Sequence, residues 1–114
     1  MHNPLRAEMV ELIINTVAEV RPLVEVLQRK DRDLADQIRR ALSSVGLNTA
    51  EGFGTSTRNG NSRLRFDSAR GSLYEAQAGL QIAIAWGYLT REEVAQTLAS
   101  LDRIAKRLYG LSRR

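Results

Sequence analysis

Apolar residues recur along this chain at three- and four-residue steps in four successive stretches, the spacing that lines one face of an α-helix. Leu5, Met9, Leu12, Ile13, Thr16, Val20, Leu23, Val24 and Leu27 form the first face. They predict a helix over 5–28, opened by Pro4, whose fixed φ suits a first turn. Pro22 lacks a backbone donor and should kink or split that helix. Arg29 to Asp33 reads as the connection to a second helix over 32–51, capped by Asp31 or Asp33 and stopped by Gly52. Its inward face is Leu34, Ile38, Ala41, Leu42 and Val45. A third helix is expected over 62–86, with Asn61 or Ser62 as cap and Gly87 as stop, and Phe66, Ala69, Leu73, Ala76, Leu80 and Ile84 on one face. Thr90-Arg91-Glu92-Glu93 is a capping box that opens a fourth helix over 91–109, ending at Gly110. Val94, Leu98, Leu101, Ile104, Ala105 and Leu108 face inward there, and Arg113 and Arg114 are expected to be disordered. Four helices with short connections predict a single all-α domain over 1–114, an antiparallel up-down-up-down four-helix bundle.

Two stripes are more than a simple bundle needs. Gln37, Arg40, Ser44, Asn48 and Glu51 follow one another at three- and four-residue steps along the second helix. Serine and asparagine are poor helix formers, so a surface chosen for propensity alone would not use them. Ser44, Asn48 and Glu51 are therefore expected to be partly buried and bonded across to another helix, and Ser72 and Glu75 on the third helix are counted with them as a structural polar cluster. On the third helix, Gly71, Tyr74, Ala78, Ile82 and Ala85 make a second apolar stripe, centred roughly 140° from the first at about 100° per residue. A helix in a lone bundle buries one stripe. A second stripe predicts a homo-oligomer, with Tyr74, Ala78, Ile82 and Trp86 as interface residues; the alternative is a central helix fully buried within one subunit. The small residues Gly71, Ala78, Gly79, Ala83 and Ala85 would let helices approach closely.

Composition narrows the chemistry. The chain has 114 residues, 43% of them hydrophobic, enough for one core and too few for two. It has no cysteine, which excludes disulfides, thiolate metal sites and cysteine nucleophiles, and its single histidine, His2, sits at the terminus. Glu51 and Glu75 are the internal carboxylates in the most suggestive setting, but no nucleophile or metal-ligand cluster accompanies them. Both are expected to be neutralised by arginine or hydrogen bonds, and the chain reads as a non-enzyme. No apolar run reaches the roughly 18–20 residues of a membrane span, and the N-terminus does not resemble a signal peptide, so a cytoplasmic protein is expected.

The net charge of +4 is unevenly distributed. Residues 1–38 carry −2, 39–72 carry +4, 73–102 carry −3 and 103–114 carry +5. Two basic blocks on a mildly acidic chain point to a polyanion such as RNA or DNA. The alternative is solvated surface with cations placed at helix C-termini. The loop Gly52 to Ser62 could cradle a phosphate through backbone donors, but it lacks the Gly-Lys-Ser/Thr of a P-loop and reads better as a connector.

The run Asp36-Gln37-x-Arg39-Arg40-Ala41-x-x-Ser44 with Asn48-x-Ala50-Glu51-Gly52-x-Gly54 resembles the second-helix signature of four-helix-bundle proteins encoded in bacterial 23S ribosomal RNA intervening sequences. Phe66-x-x-x-Ala69-x-Gly71-Ser72-x-x-Glu75, Leu80 and Gly87-Tyr88-Leu89 are similar to that family's third helix and turn. The match covers about half the chain. The same fold class includes the accessory variability determinant of diversity-generating retroelements, which assists a reverse transcriptase. The resemblance implies a ring-shaped homopentamer with no enzymatic activity and no cofactor. It also implies a basic surface to which Arg39, Arg40 and Arg70 contribute; position and charge add Arg58, Arg63 and Arg65. The sequence departs from the family's usual pattern at Thr57 to Ser62, where members more often carry charged residues. Two partner classes follow: nucleic-acid backbone on the basic surface, or a protein such as a reverse transcriptase for which the chain is a scaffold or accessory subunit.

Overall fold

The computed structural model describes residues 3–54 and 60–113. Four helices account for nearly all of them: α1 (Pro4–Lys30), α2 (Arg32–Gly54), α3 (Gly60–Ala85) and α4 (Arg91–Ser112). No strand occurs among the described residues. The body measures 45 × 21 × 18 Å, its long side set by helices of 22–27 residues at about 1.5 Å per residue.

Local signals explain most of the helix ends. Asn3 caps α1, its side chain accepting from the Arg6 amide at 3.2 Å, with Pro4 in the first turn. The Asp31 carboxylate caps α2 by accepting from the Leu34 amide at 3.1 Å. The α1–α2 connection is therefore the one residue Asp31, shorter than the five-residue cluster expected. Pro22 does not split α1, which runs unbroken through it. The end of α3 follows from Gly87 at φ 79°, a left-handed conformation that only glycine adopts without strain. The Tyr88 amide donates to Ala83 O and the Gly87 amide to Ile84 O, both at 2.9 Å, which closes the helix by a Schellman pattern. At α4 the capping box is complete: the Glu93 amide donates to Thr90 Oγ1 at 3.1 Å and the Thr90 amide to Glu93 Oε1 at 2.8 Å.

Glycine is the weaker signal. α2 runs past Gly52 to Gly54, because Phe53 meets Phe66 edge-to-face at 5.1 Å and Ser62 Oγ donates to Gly52 O at 2.9 Å. Ser62 thus fastens α3 to α2 rather than capping α3, which already begins at Gly60. α4 passes through Gly110 and ends at Ser112, where buried Leu111 extends the apolar face by one more contact. Arg113 caps that end, whereas Arg114 lies outside the described residues.

α2 packs on α1 and α3, and α4 on α3 and α1, with the α2–α3 seam the broadest and the α1–α4 seam the narrowest. Met9, Ile13, Val20 and Leu27 from α1 meet Leu34, Ile38, Ala41, Leu42 and Val45 from α2 in one core. α3 adds Phe66, Ala69, Leu73, Ala76 and Leu80, and α4 adds Val94, Leu101, Ile104 and Leu108. Across the broad seam Ile38 faces Gly79, Ser44 faces Ser72, and Gly52 faces Phe66. The approach at Gly79 is close: a Cβ there would stand 2.7 Å from Ile38 Cγ1. Thr16 and Thr49 lie in the core because each hydroxyl donates to the carbonyl four residues back, at 2.8 and 2.7 Å. The α1–α4 seam is polar at its middle, where Thr97 Oγ1 and Ser100 Oγ approach the Glu19 carboxylate at 3.2 and 3.4 Å.

Candidate functional site

The polar stripe of α2 forms one wall of a shallow surface groove of about 500 Å³, lined by Arg39, Arg40, Ser43, Ser44, Leu47, Asn48, Glu51 and, from α3, Arg65. Helical periodicity builds this wall, since residues three and four apart stand one above another. The floor is a hydroxyl–amide relay. Ser44 Oγ and Ser72 Oγ are 2.7 Å apart, and Asn48 Nδ2 donates to Ser44 Oγ at 2.9 Å and to Ser44 O at 3.0 Å. Ser44 and Asn48 are thus half-buried and bonded, with only Ser44 reaching directly across to α3. Among the described residues no buried side-chain nitrogen or oxygen lacks a partner.

Charge in the groove is less one-sided than a count of arginines implies. Arg39 pairs with Asp36 at 2.9 Å, and Arg65 pairs with Glu51 at 3.1 Å across the α2–α3 seam. Arg40 is exposed and has no ion-pair partner among the described residues. Glu51 is therefore exposed and neutralised by arginine; Glu75 is exposed and has no such partner among the described residues, against expectation. An incoming phosphate would meet Arg40 directly and would compete with the partly exposed carboxylates of Asp36 and Glu51 for Arg39 and Arg65. Exposed pairs of this kind exchange readily, each contributing little in water.

The remaining arginines are placed elsewhere. The Arg70 guanidinium pairs with Asp67 at 3.2 Å and lies over the Tyr109 ring at 4.9 Å, with Arg113 at 5.4 Å from the same ring. This second basic cluster joins α3 to the end of α4, and sequence reasoning missed its Tyr109 anchor. Arg63 is exposed on the first turn of α3, and Arg58 lies outside the described residues together with Thr57 and Asn59.

At the end of the bundle that carries Asp31, Lys30 Nζ donates to Tyr88 O at 3.2 Å, joining the α1–α2 and α3–α4 connections. Burial pushes the Tyr88 phenol above its ordinary 10.0, and the charge of Asp31 and a hydrogen bond to its carboxylate add to the rise. The second stripe of α3 is uncovered. Tyr74, Ile82 and Trp86 are 51, 47 and 69% exposed, and Gly71, Ala78 and Ala85 are exposed beside them. A fully buried central helix is therefore excluded for the single chain. Among the described residues no three histidines or carboxylates gather where a metal ion could bind, and no helix is long and apolar enough to cross a membrane.

A family model for the 23S rRNA-intervening sequence protein matches residues 7–110, which takes in all of this groove. The chain belongs to that family. The fold is also that of a crystal structure described as a protein with unknown function from the S23 ribosomal protein family of Bacteroides thetaiotaomicron. That structure superposes with a TM-score of 0.83 over 93% of this chain and 99% of its own, at 19% identity. No curated protein matches the chain. Family membership extends the resemblance seen in α2 and α3 across α1 and α4 as well.

Proposed function

We propose that this family member is a non-enzymatic, cytoplasmic bundle of antiparallel up-down-up-down helices that assembles into a ring-like homo-oligomer and holds nucleic-acid backbone on its arginines. The antiparallel reading rests on the facing pairs of the broad seam, which ascend on α2 as they descend on α3: Ile38 with Gly79, Ser44 with Ser72, Glu51 with Arg65. The binding reading is carried by one observation, the convergence of Arg39, Arg40 and Arg65 over a groove floored by hydroxyl and amide groups. Guanidinium groups supply charge-assisted contacts to phosphate, and hydroxyls add neutral ones. Among the described residues no aromatic side chain lines this groove, so binding would go through phosphates with little reading of bases. Copies assembled through the second α3 stripe repeat the groove around the particle, which turns a local charge of a few units into a continuous field. A pentamer, the number that the family resemblance implies, is expected at about five times 12.8 kDa in light scattering.

The test is affinity for single-stranded RNA and duplex DNA of mixed sequence, measured against salt concentration. Affinity should fall steeply with salt. In an Arg40→Ala/Arg65→Ala variant the logarithmic slope should become shallower by roughly 1.4–1.8, for two phosphate contacts at about 0.7–0.9 each. Undetectable binding at low salt would end this reading.

A further inference from the structure

Besides the α3 stripe, the surface carries a second apolar feature that the helical patterns did not announce. Two adjoining hollows of about 580 and 460 Å³ run between the outer faces of α1 and α2 and share Ile14, Val17, Leu42 and Ser43. Val10 and Val24 extend the apolar wall on α1, and Leu47 extends it on α2. Ile14, Val17 and Leu47 are 60, 40 and 65% exposed. At Gly46 the wall of α2 has no side chain, which keeps the groove open beside Ile13. We infer that this groove is the seat for the α3 ridge of a second copy of the chain, Tyr74, Ala78, Ile82 and Trp86 of one subunit lying along the α1–α2 groove of the next. The inference rests on the self-assembly proposed above and adds to it the partner surface.

Four observations select this occupant. The lengths agree: Tyr74 to Trp86 spans about 18 Å of helix and Val10 to Val24 about 21 Å at 1.5 Å per residue. The shapes agree, since Ala78 sits between Tyr74 and Ile82 at four-residue steps and lets the ridge sink toward a groove whose far wall is lowered at Gly46. The charges agree, since Glu75 beside the ridge has no ion-pair partner among the described residues, while Arg21 rims the groove. The pair of Arg21 with Glu25 is largely exposed and free to re-form around a third charge. Finally, coverage agrees. α3 is held in its bundle by the opposite face, so the ridge cannot reach the groove of its own chain. A two-fold contact of ridge on ridge would leave every groove bare, whereas ridge in groove covers both faces with one interface. With half to two-thirds of two aromatic side chains exposed, the ridge offers on the order of 250 Å² from these two alone. Such an interface is heterologous, the kind that closes into a ring when its rotation divides a full turn and otherwise continues as a filament.

The chain has no cysteine, so single cysteines can be placed without background. Ile82→Cys marks the ridge and Val17→Cys marks the groove, both at exposed positions where folding tolerates the change. Each variant is treated alone and as an equimolar mixture with a short cysteine-to-cysteine crosslinker, and wild-type mass is read by light scattering. The expected result is a covalent two-chain product in the mixture, little in either variant alone, and a ladder of higher products from the chain carrying both cysteines. Self-crosslinking of Ile82→Cys at the level of the mixture would overturn the ridge-in-groove contact while leaving self-assembly standing. So would an assembled wild type that yields no product in the mixture. A wild type of 12.8 kDa would overturn both. As a second check, Ile14→Asp should reduce the wild-type particle to single chains as fully as Ile82→Asp does, with the helical signal unchanged in each. An Ile14→Asp protein of undiminished size would also count against the groove.

Discussion

Replacing Gly52 by alanine should destabilise the bundle, although alanine is the better helix former. A Cβ on Gly52 would stand 2.6, 2.8 and 2.9 Å from Cε1, Cζ and Cδ1 of Phe66. Carbon atoms in contact keep about 3.5–4.0 Å apart, so the ring must retreat by roughly 1 Å. It cannot bend out of the way, being a rigid hexagon 5% exposed with Phe53 edge-to-face against it. Inserting one methyl into such a site costs about 1–3 kcal/mol, against about 1 kcal/mol or less gained from helix propensity. Gly110 supplies the matched control. Like Gly52 it lies two residues before the last residue of its helix, but nothing stands within 4 Å of the added carbon. The propensity gain is shared, so the difference between the two variants isolates the collision with Phe66. Urea unfolding followed by circular dichroism should show Gly52→Ala less stable than Gly110→Ala by about 1–3 kcal/mol, with unchanged slope. A second change, Phe66→Leu, should cost less in the Gly52→Ala background than in the wild type. Equal stability of the two alanine variants would refute the reasoning, because it would mean that the α2–α3 approach has slack.

Three further outcomes follow from named contacts. Thr90→Ala removes the acceptor of the Glu93 amide and should cost about 1 kcal/mol in thermal unfolding, with Thr90→Ser recovering most of it. Ser72→Ala takes the α3 half from the hydroxyl relay with Ser44 and Asn48 and should cost about 1 kcal/mol, whereas Ser68→Ala, at an exposed position on the same helix, should be near neutral. Tyr88 sets an alkaline limit. Its folded pKa is raised, so the folded state holds the phenol proton more tightly than the unfolded state does. That contribution is complete below the ordinary value of 10.0 and is lost as pH rises through the folded value. Stability measured upward from pH 10 should therefore fall, and should fall less in Tyr88→Phe; identical alkaline profiles would contradict this.

The inward faces were legible because each is a run of large apolar residues at helical spacing with a chemically specific start. Thr90 to Glu93, Asp31 and Gly87 all act as their residue types predict. Glycine misled where packing overrode it: Gly52 sits within α2 because Phe66 needs the space a side chain would fill, not because the chain turns there. The polar stripe was readable as a stripe, but Glu51 turned out to be an exposed ion-pair partner and Asn48 a support for Ser44 on its own helix. Arg70 could not be separated from Arg39 and Arg40 by charge alone, since its placement depends on Tyr109 from a helix distant in sequence. The α1–α2 groove escaped notice for a related reason. Ile14 and Leu47 lie off the inward faces of their own helices, and only the docking of α1 beside α2 makes one surface of them.

The carboxylate of Glu19 gives the narrow α1–α4 seam a character of its own. Where the broad α2–α3 seam sets a single uncharged hydroxyl pair, Ser44 with Ser72, among apolar contacts at its middle, the middle of this one is closed by two hydroxyls on a charged oxygen pair, groups that water can replace one for one. Parting α1 from α4 wets little hydrocarbon there and strands no ion in a dry place. Thermal fluctuations will therefore unzip the barrel along this line first, with amide protons on the facing turns around Glu19 and Ser100 exchanging before those along α2 and α3. The first and last helices are in this sense the leaves of a gate whose hinge is the α2–α3 pair.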